Sequence, residues 1–151
     1  MEIVYYEDVE LHQRSTIGEY YVEKEEMLEF AKKWDRQPFH IDEELAQSYP
    51  FGGLIASSSY TMAIVSRVAS LSELPRLAIL AGLEYERLQL PNPVRPGDQL
   101  VVTAEHIDKR ESKTKPDRGI VRTLVEVKNK NKNDELVFSA VGVSLVAKRS
   151  I

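Results

Sequence analysis

Asp35 and His40 are the two side chains in this sequence whose types and spacing suit proton transfer. They stand five residues apart in Trp34-Asp35-Arg36-Gln37-Pro38-Phe39-His40-Ile41-Asp42. A carboxylate and an imidazole that titrates near neutrality are common partners for moving a proton to and from a small substrate. Pro38 fixes its own φ and pushes Gln37 toward extended geometry. The preceding helix should therefore end here, with both groups presented from a stiff loop. An aspartate in an isolated D-x-x-P is by itself more often a helix-end residue than a catalyst. Asp42 reads as the N-cap of a short helix over 43–48, with acids in its first turn.

The elements that must position this pair follow from periodicity. Met27, Leu28, Ala31 and Trp34 share one face of a helix over 24–34, which delivers Asp35. Tyr49-Pro50-Phe51-Gly52-Gly53 is a turn built from helix breakers. It opens into the longest helical candidate, 54–69, which has no charged residue before Arg67. A helix without a charged face is expected to be buried on most sides. Its first N–H groups and its positive dipole end suit an anion or a polarised carbonyl. Short strands are expected near 2–8 and 18–23. Beyond Pro75 the pattern turns to strands over 77–90 (bent at Gly82), 100–107, 119–128 and 136–146. The segments 91–98 and 129–134 form the turns between them. Consecutive strands joined by short turns pair antiparallel. The expected architecture is one α+β domain over 1–151, an antiparallel sheet wrapped around a long central helix.

Composition narrows the function. The net charge of −4 and a pI near 5.5 argue against a nucleic-acid or membrane-surface partner. No cysteine is present, which rules out disulfides and thiolate metal sites and fits a cytoplasmic location. The first residues carry acids and no basic segment, so no signal peptide is expected. The uncharged run 51–66 is too short for a membrane span. His12 and His106 are remote in sequence from His40, so no metal site is expected from the histidines. The stretch 109–118 concentrates Lys109, Arg110, Lys113, Lys115 and Arg118. Such a run is ordinarily a solvated loop, and it is equally suited to phosphate.

Three segments together resemble the MaoC-like dehydratases, the hot-dog-fold (R)-specific enoyl-CoA hydratases. They are Asp35-x-Gln37-Pro38-x-His40, Phe51-Gly52-Gly53-Leu54-Ile55-Ala56-Ser57, and Pro93-Val94-Arg95-Pro96-Gly97-Asp98. The resemblance implies a single hot-dog domain that hydrates trans-2-enoyl thioesters reversibly to (R)-3-hydroxyacyl thioesters. It makes Asp35 and His40 the acid–base pair and the Ser58 backbone N–H the oxyanion donor. Gly53, Ser57, Arg110, Lys113, Lys115 and Arg118 become substrate-binding residues, the last four for the phosphates. Ser66 matches a serine near the site of some relatives. Gln37 replaces the usual asparagine, and Ser58 stands where many relatives have glycine. CoA or acyl-carrier phosphopantetheine is the handle of the substrate, with no separate cofactor or metal. A homodimer with its pockets at the subunit interface is implied. The competing readings are a hot-dog acyl-CoA thioesterase and a non-catalytic acyl-CoA-binding module.

Overall fold

Alternation in the strands builds the sheet. In the strand Arg118–Asn129, the fully buried positions are Gly119, Val121, Val127 and Asn129, all on one face. The structure, a computed structural model, describes residues 1–150. The chain runs β1 (Ile3–Val4), a 3₁₀ turn (Tyr6–Asp8), β2 (Arg14–Tyr21), α1 (Lys24–Trp34), α2 (Pro38–Ile41), α3 (Glu43–Ala46) and α4 (Ser58–Leu71). Then follow β3 (Arg76–Leu77), β4 (Ile79–Gln89), β5 (Gln99–Glu111), β6 (Arg118–Asn129), a second 3₁₀ turn (Lys130–Lys132) and β7 (Glu135–Ala147). Five strands form one antiparallel sheet in the order β2-β5-β6-β7-β4, and β1 pairs parallel with β3. The antiparallel α+β expectation holds. No helix among the described residues is long and apolar enough to cross a membrane.

The inner face of the sheet is covered in two halves. Over one half lies α4, which buries Tyr60, Ile64 and Val68 against Leu100 and Val102 of β5, Val127 of β6, and Phe138 and Ala140 of β7. Met27 from α1 joins them. Gly18 of β2 allows this approach, because a Cβ there would lie 2.9 Å from a Val68 methyl. Over the other half sit Tyr6 and Val9 with Val121 and Val146. Lys109 locks that segment by donating to the carbonyls of Tyr6, Glu7 and Val9 at 3.3, 3.3 and 3.0 Å.

The structure corrects five expectations. The central helix begins at Ser58 and not at residue 54. Residues 54–57 stay outside it, because Ile55 N–H donates to Phe39 O and Ala56 N–H to Val94 O. That helix is buried along one face only, with Ser59, Ala63, Ser66, Arg67 and Ser70 exposed. His40 sits on the one-turn helix α2 rather than in a loop. The N-terminal strands are β1, only two residues long, and β2, which starts at Arg14 and ends at Tyr21. The third α-helix ends at Ala46, two residues short of the expected limit, and its Asp42 N-cap accepts from the N–H groups of Glu44 and Leu45 as expected. β4 runs unbroken through Gly82, with register shifts against β7 between Ile79 and Ala81, Gly82 and Glu84, and Glu86 and Gln89.

Candidate active site

Asp35 is the C-cap of α1, its N–H bonded to Ala31 O at 2.8 Å. A carboxylate at that end faces the negative pole of the helix dipole, where cations are favoured. The neighbours obey the rule. Lys32 and Lys33 occupy the last turn, and Arg36 donates to Lys32 O at 2.9 Å. Asp35 is the residue that breaks the rule. Gln37 and Pro38 then turn the chain. Gln37 is extended at ψ 140°, Pro38 opens α2, and His40 N–H bonds back to Gln37 O at 2.9 Å.

His40 is buried at 6% exposure. Its Nδ1 lies 2.7 Å from Ile55 O. A carbonyl only accepts, so Nδ1 carries the proton and neutral His40 presents an Nε2 lone pair. That nitrogen is 3.7 Å from Asp35 Oδ2. The separation is too long for a direct hydrogen bond, and both atoms are acceptors while the imidazole is neutral. Two acceptors at this separation would be satisfied by a water donating one proton to each. The Phe39 ring meets the imidazole edge-on at 4.5 Å and Tyr49 at 5.2 Å, which restricts rotation of this loop.

The segment that receives His40 also leads to the helix start. From Ile55 to Ser58 is three residues, at most about 10 Å. Ser57 is the N-cap, buried, with its Oγ accepting from Tyr60 N–H at 3.2 Å. Its oxygen therefore serves the helix. Ser58, the first helical residue, is exposed. Its N–H belongs to the first turn, which has no intrahelical acceptor. Gly53 lies in the preceding turn, where a Cβ would come within 3.1 Å of Arg95 Nη1.

A residue model of the MaoC-like domain matches positions 7–131. The chain belongs to the MaoC-like family. A MaoC-like dehydratase from Rhodospirillum rubrum is 37% identical, superposes with a TM-score of 0.89, and is matched over 98% of this chain and 99% of its own. YdeM of Bacillus subtilis, itself uncharacterised, is 32% identical over 108 residues, which is 72% of this chain and 75% of YdeM. The (R)-hydratase PhaJ1 from Pseudomonas aeruginosa shares the fold at a TM-score of 0.72 and 24% identity, over 97% of this chain and 86% of its own. The fold is that of a single hot-dog domain.

Within this MaoC-like chain the basic hairpin does not join the pair. The site lies by the 93–98 turn that feeds β5, whereas Arg110 is near the far end of that strand. Thirteen residues of strand put the two ends about 40 Å apart along its contour. Arg118 is held by Asp117 through two hydrogen bonds, at 2.8 and 3.1 Å, while Arg110, Lys113 and Lys115 are exposed. Ser66 lies on the open face of α4. His106 is on β5 with Nδ1 2.8 Å from Thr123 Oγ1.

Sequence reasoning misses one cluster that supports the site. Glu26 Oε1 accepts from both Tyr20 OH and Tyr60 OH at 2.6 Å. These bonds, Tyr20's foremost, hold the Glu26 carboxyl below its ordinary range. Burial, and then Glu26, pushes the Tyr60 phenol up. The cluster joins α1, which ends in Asp35, to the first turn of α4. Its members are 6 and 34 residues apart, so no local pattern announces it.

Proposed function

We propose that this chain is a hydratase/dehydratase of enoyl thioesters, adding water reversibly and syn across trans-2-enoyl-CoA to give (R)-3-hydroxyacyl-CoA. The observation that carries the reading is the Asp35–His40 pair, with the lone pair of Nε2 turned to the carboxylate by the Ile55 carbonyl. A water between them forms its bond to Cβ as it gives up a proton to the pair. The π electrons move to Cα and the thioester oxygen, and Cα takes a proton from the same pair. The two groups act as one coupled unit. Charge gathering on the thioester oxygen faces the Ser58 N–H at the positive end of α4, where one donor is typically worth ~10²–10³ in rate. Every proton in this scheme moves among Asp35, His40, water and substrate, so the scheme calls on no metal or redox cofactor.

The working form is a homodimer, in the cytoplasm. β4 pairs on one side only, and Ile79, Leu80, Leu83 and Tyr85 along it are each at least half exposed. A second copy covers such an edge. In that assembly Arg110, Lys113, Lys115 and Arg118 serve the phosphates of the neighbouring subunit's substrate. Light scattering after size exclusion should give a dimer mass at micromolar concentration, and a monomer would sink this arrangement.

Crotonyl-CoA tests the activity. Loss of enone absorbance without free thiol is the expected result. Thiol release would instead mean thioesterase chemistry at C1, and inertness toward every chain length would leave a binding module.

A further inference from the structure

Arg95 is a cation without an anion. It lies in the turn that feeds β5 and is half-buried. Among the described residues no carboxylate comes within ion-pair distance of its guanidinium, and its one recorded side-chain bond is from Nη2 to Phe51 O. A guanidinium has five N–H donors, so most of the fork is unclaimed. The one acid of the 91–98 segment, Asp98, is already engaged. Its Oδ2 accepts Arg95's own backbone N–H at 2.8 Å, and its Oδ1 lies 3.7 Å from Lys132 Nζ. Both oxygens of this buried carboxylate are thus taken, one by the Arg95 backbone and one by Lys132 of the 3₁₀ turn after β6, and neither is left for the Arg95 guanidinium.

The place of this surplus charge matters. Arg95 Nη1 lies over Gly53, where an added Cβ would come within 3.1 Å and press on the guanidinium. Two residues further on, about 7 Å of chain, Ile55 holds the His40 imidazole. The next residue, Ala56, bonds to Val94 O at 2.7 Å, which ties the arginine turn to the same segment. Ser58 is two residues on from Ala56, about 7 Å of chain, so the helix end and the arginine turn are neighbours.

We propose that Arg95, seated over Gly53, receives the diphosphate of the CoA handle within the same chain as the Asp35–His40 pair. The proposal rests on the enoyl-thioester reading and adds an own-chain anion site to it. A planar fork with free N–H groups matches phosphate oxygens two at a time. Gly53 thereby gains a physical role: it clears the backbone beneath the fork.

The test compares crotonyl-CoA with crotonyl-N-acetylcysteamine, a thioester without phosphates, on the wild type and on Arg95→Gln. The expected result is a rise of about tenfold in KM for crotonyl-CoA, the loss of a charge-assisted contact. The truncated thioester should keep its KM, and kcat should hold for both. Equal losses on both substrates would mean that Arg95 only braces the 51–53 turn, and would overturn the proposal. So would an unchanged KM for CoA in Arg95→Gln beside a raised one in Lys113→Gln/Lys115→Gln. Calorimetric titration with CoA itself separates this from the activity. Weaker binding to Arg95→Gln in a protein that hydrates nothing would retain the anion site and remove the hydratase reading. Equal binding by both proteins would remove the anion site.

Discussion

Replacing Tyr60 with phenylalanine removes one hydroxyl and nothing else, and the structure sets what that should cost. Tyr60 is 3% exposed, and its OH donates to an ionised Glu26 at 2.6 Å. Phenylalanine keeps the edge-to-face packing on Phe30, whose ring centroid is 5.3 Å away, so no cavity forms. Hydrogen bonds to charged groups contribute about 1.5–3 kcal/mol net. Glu26 retains Tyr20 and is open to water, which places the loss near the low end, about 1.5 kcal/mol. The pH dependence adds a sharper check. The folded Glu26 carboxyl is held low by both hydroxyls. Its contribution is therefore full above the ordinary glutamate value and is lost as pH falls through the depressed one. Urea denaturation should show Tyr60→Phe weaker than the wild type at pH 7, with the gap closing in acid. Tyr20→Phe should cost less alone, and the double variant more than the sum, since each tyrosine covers for the other. A gap unchanged from pH 7 into acid would refute the reasoning, as would one below about 0.5 kcal/mol at neutral pH.

Asp35→Asn should lower kcat on crotonyl-CoA by about 10²–10⁴ with the fold intact by circular dichroism, and unchanged activity would remove Asp35 from the chemistry. Gly119→Ala puts a Cβ 2.3 Å from the Tyr6 ring, so about 1–3 kcal/mol of stability should go in a denaturant melt, with kcat held because that half of the sheet lies away from the pair. His106 is held below its ordinary value by burial. Its neutral form adds stability above the ordinary histidine value that fades as pH drops through the lowered one, and His106→Gln should flatten thermal stability across that interval.

How much of this is legible in the chain depends on the range of the interactions. Asp35, Pro38 and His40 are readable because a helix, a breaker and a short turn act within ten residues. The Asp42 cap is local in the same way, and so is the strand alternation of Val121, Val125 and Val127. What the sequence hides is made at a distance. The helix start at Ser58 depends on Phe39 O and Val94 O claiming the N–H groups of Ile55 and Ala56. The tautomer of His40 depends on a carbonyl fifteen residues away. The uncharged stretch of α4 reads as buried on most sides, because sequence does not separate burial in one chain from burial in an assembly.

That ambiguity bears on the chemistry. Asp35 keeps a third of its side chain open and Ser58 is exposed, so the pair and the helix end face solvent on one side of the isolated chain. A single N–H stabilises a developing oxyanion well only where water is excluded, because the effective dielectric divides the interaction. The open face of α4 (Ser59, Ala63, Ser66, Ser70) and the apolar residues of β4 are surfaces that a second copy would close. Activity should then depend on concentration. Specific activity on crotonyl-CoA, measured while the protein is diluted through the range where mass photometry shows dimers separating, should fall in step with the dimer fraction. Activity per chain that stays level in the monomer range would mean that one chain shields its own water, and the pocket would then have to be sought within α1, α2 and the 54–57 segment alone.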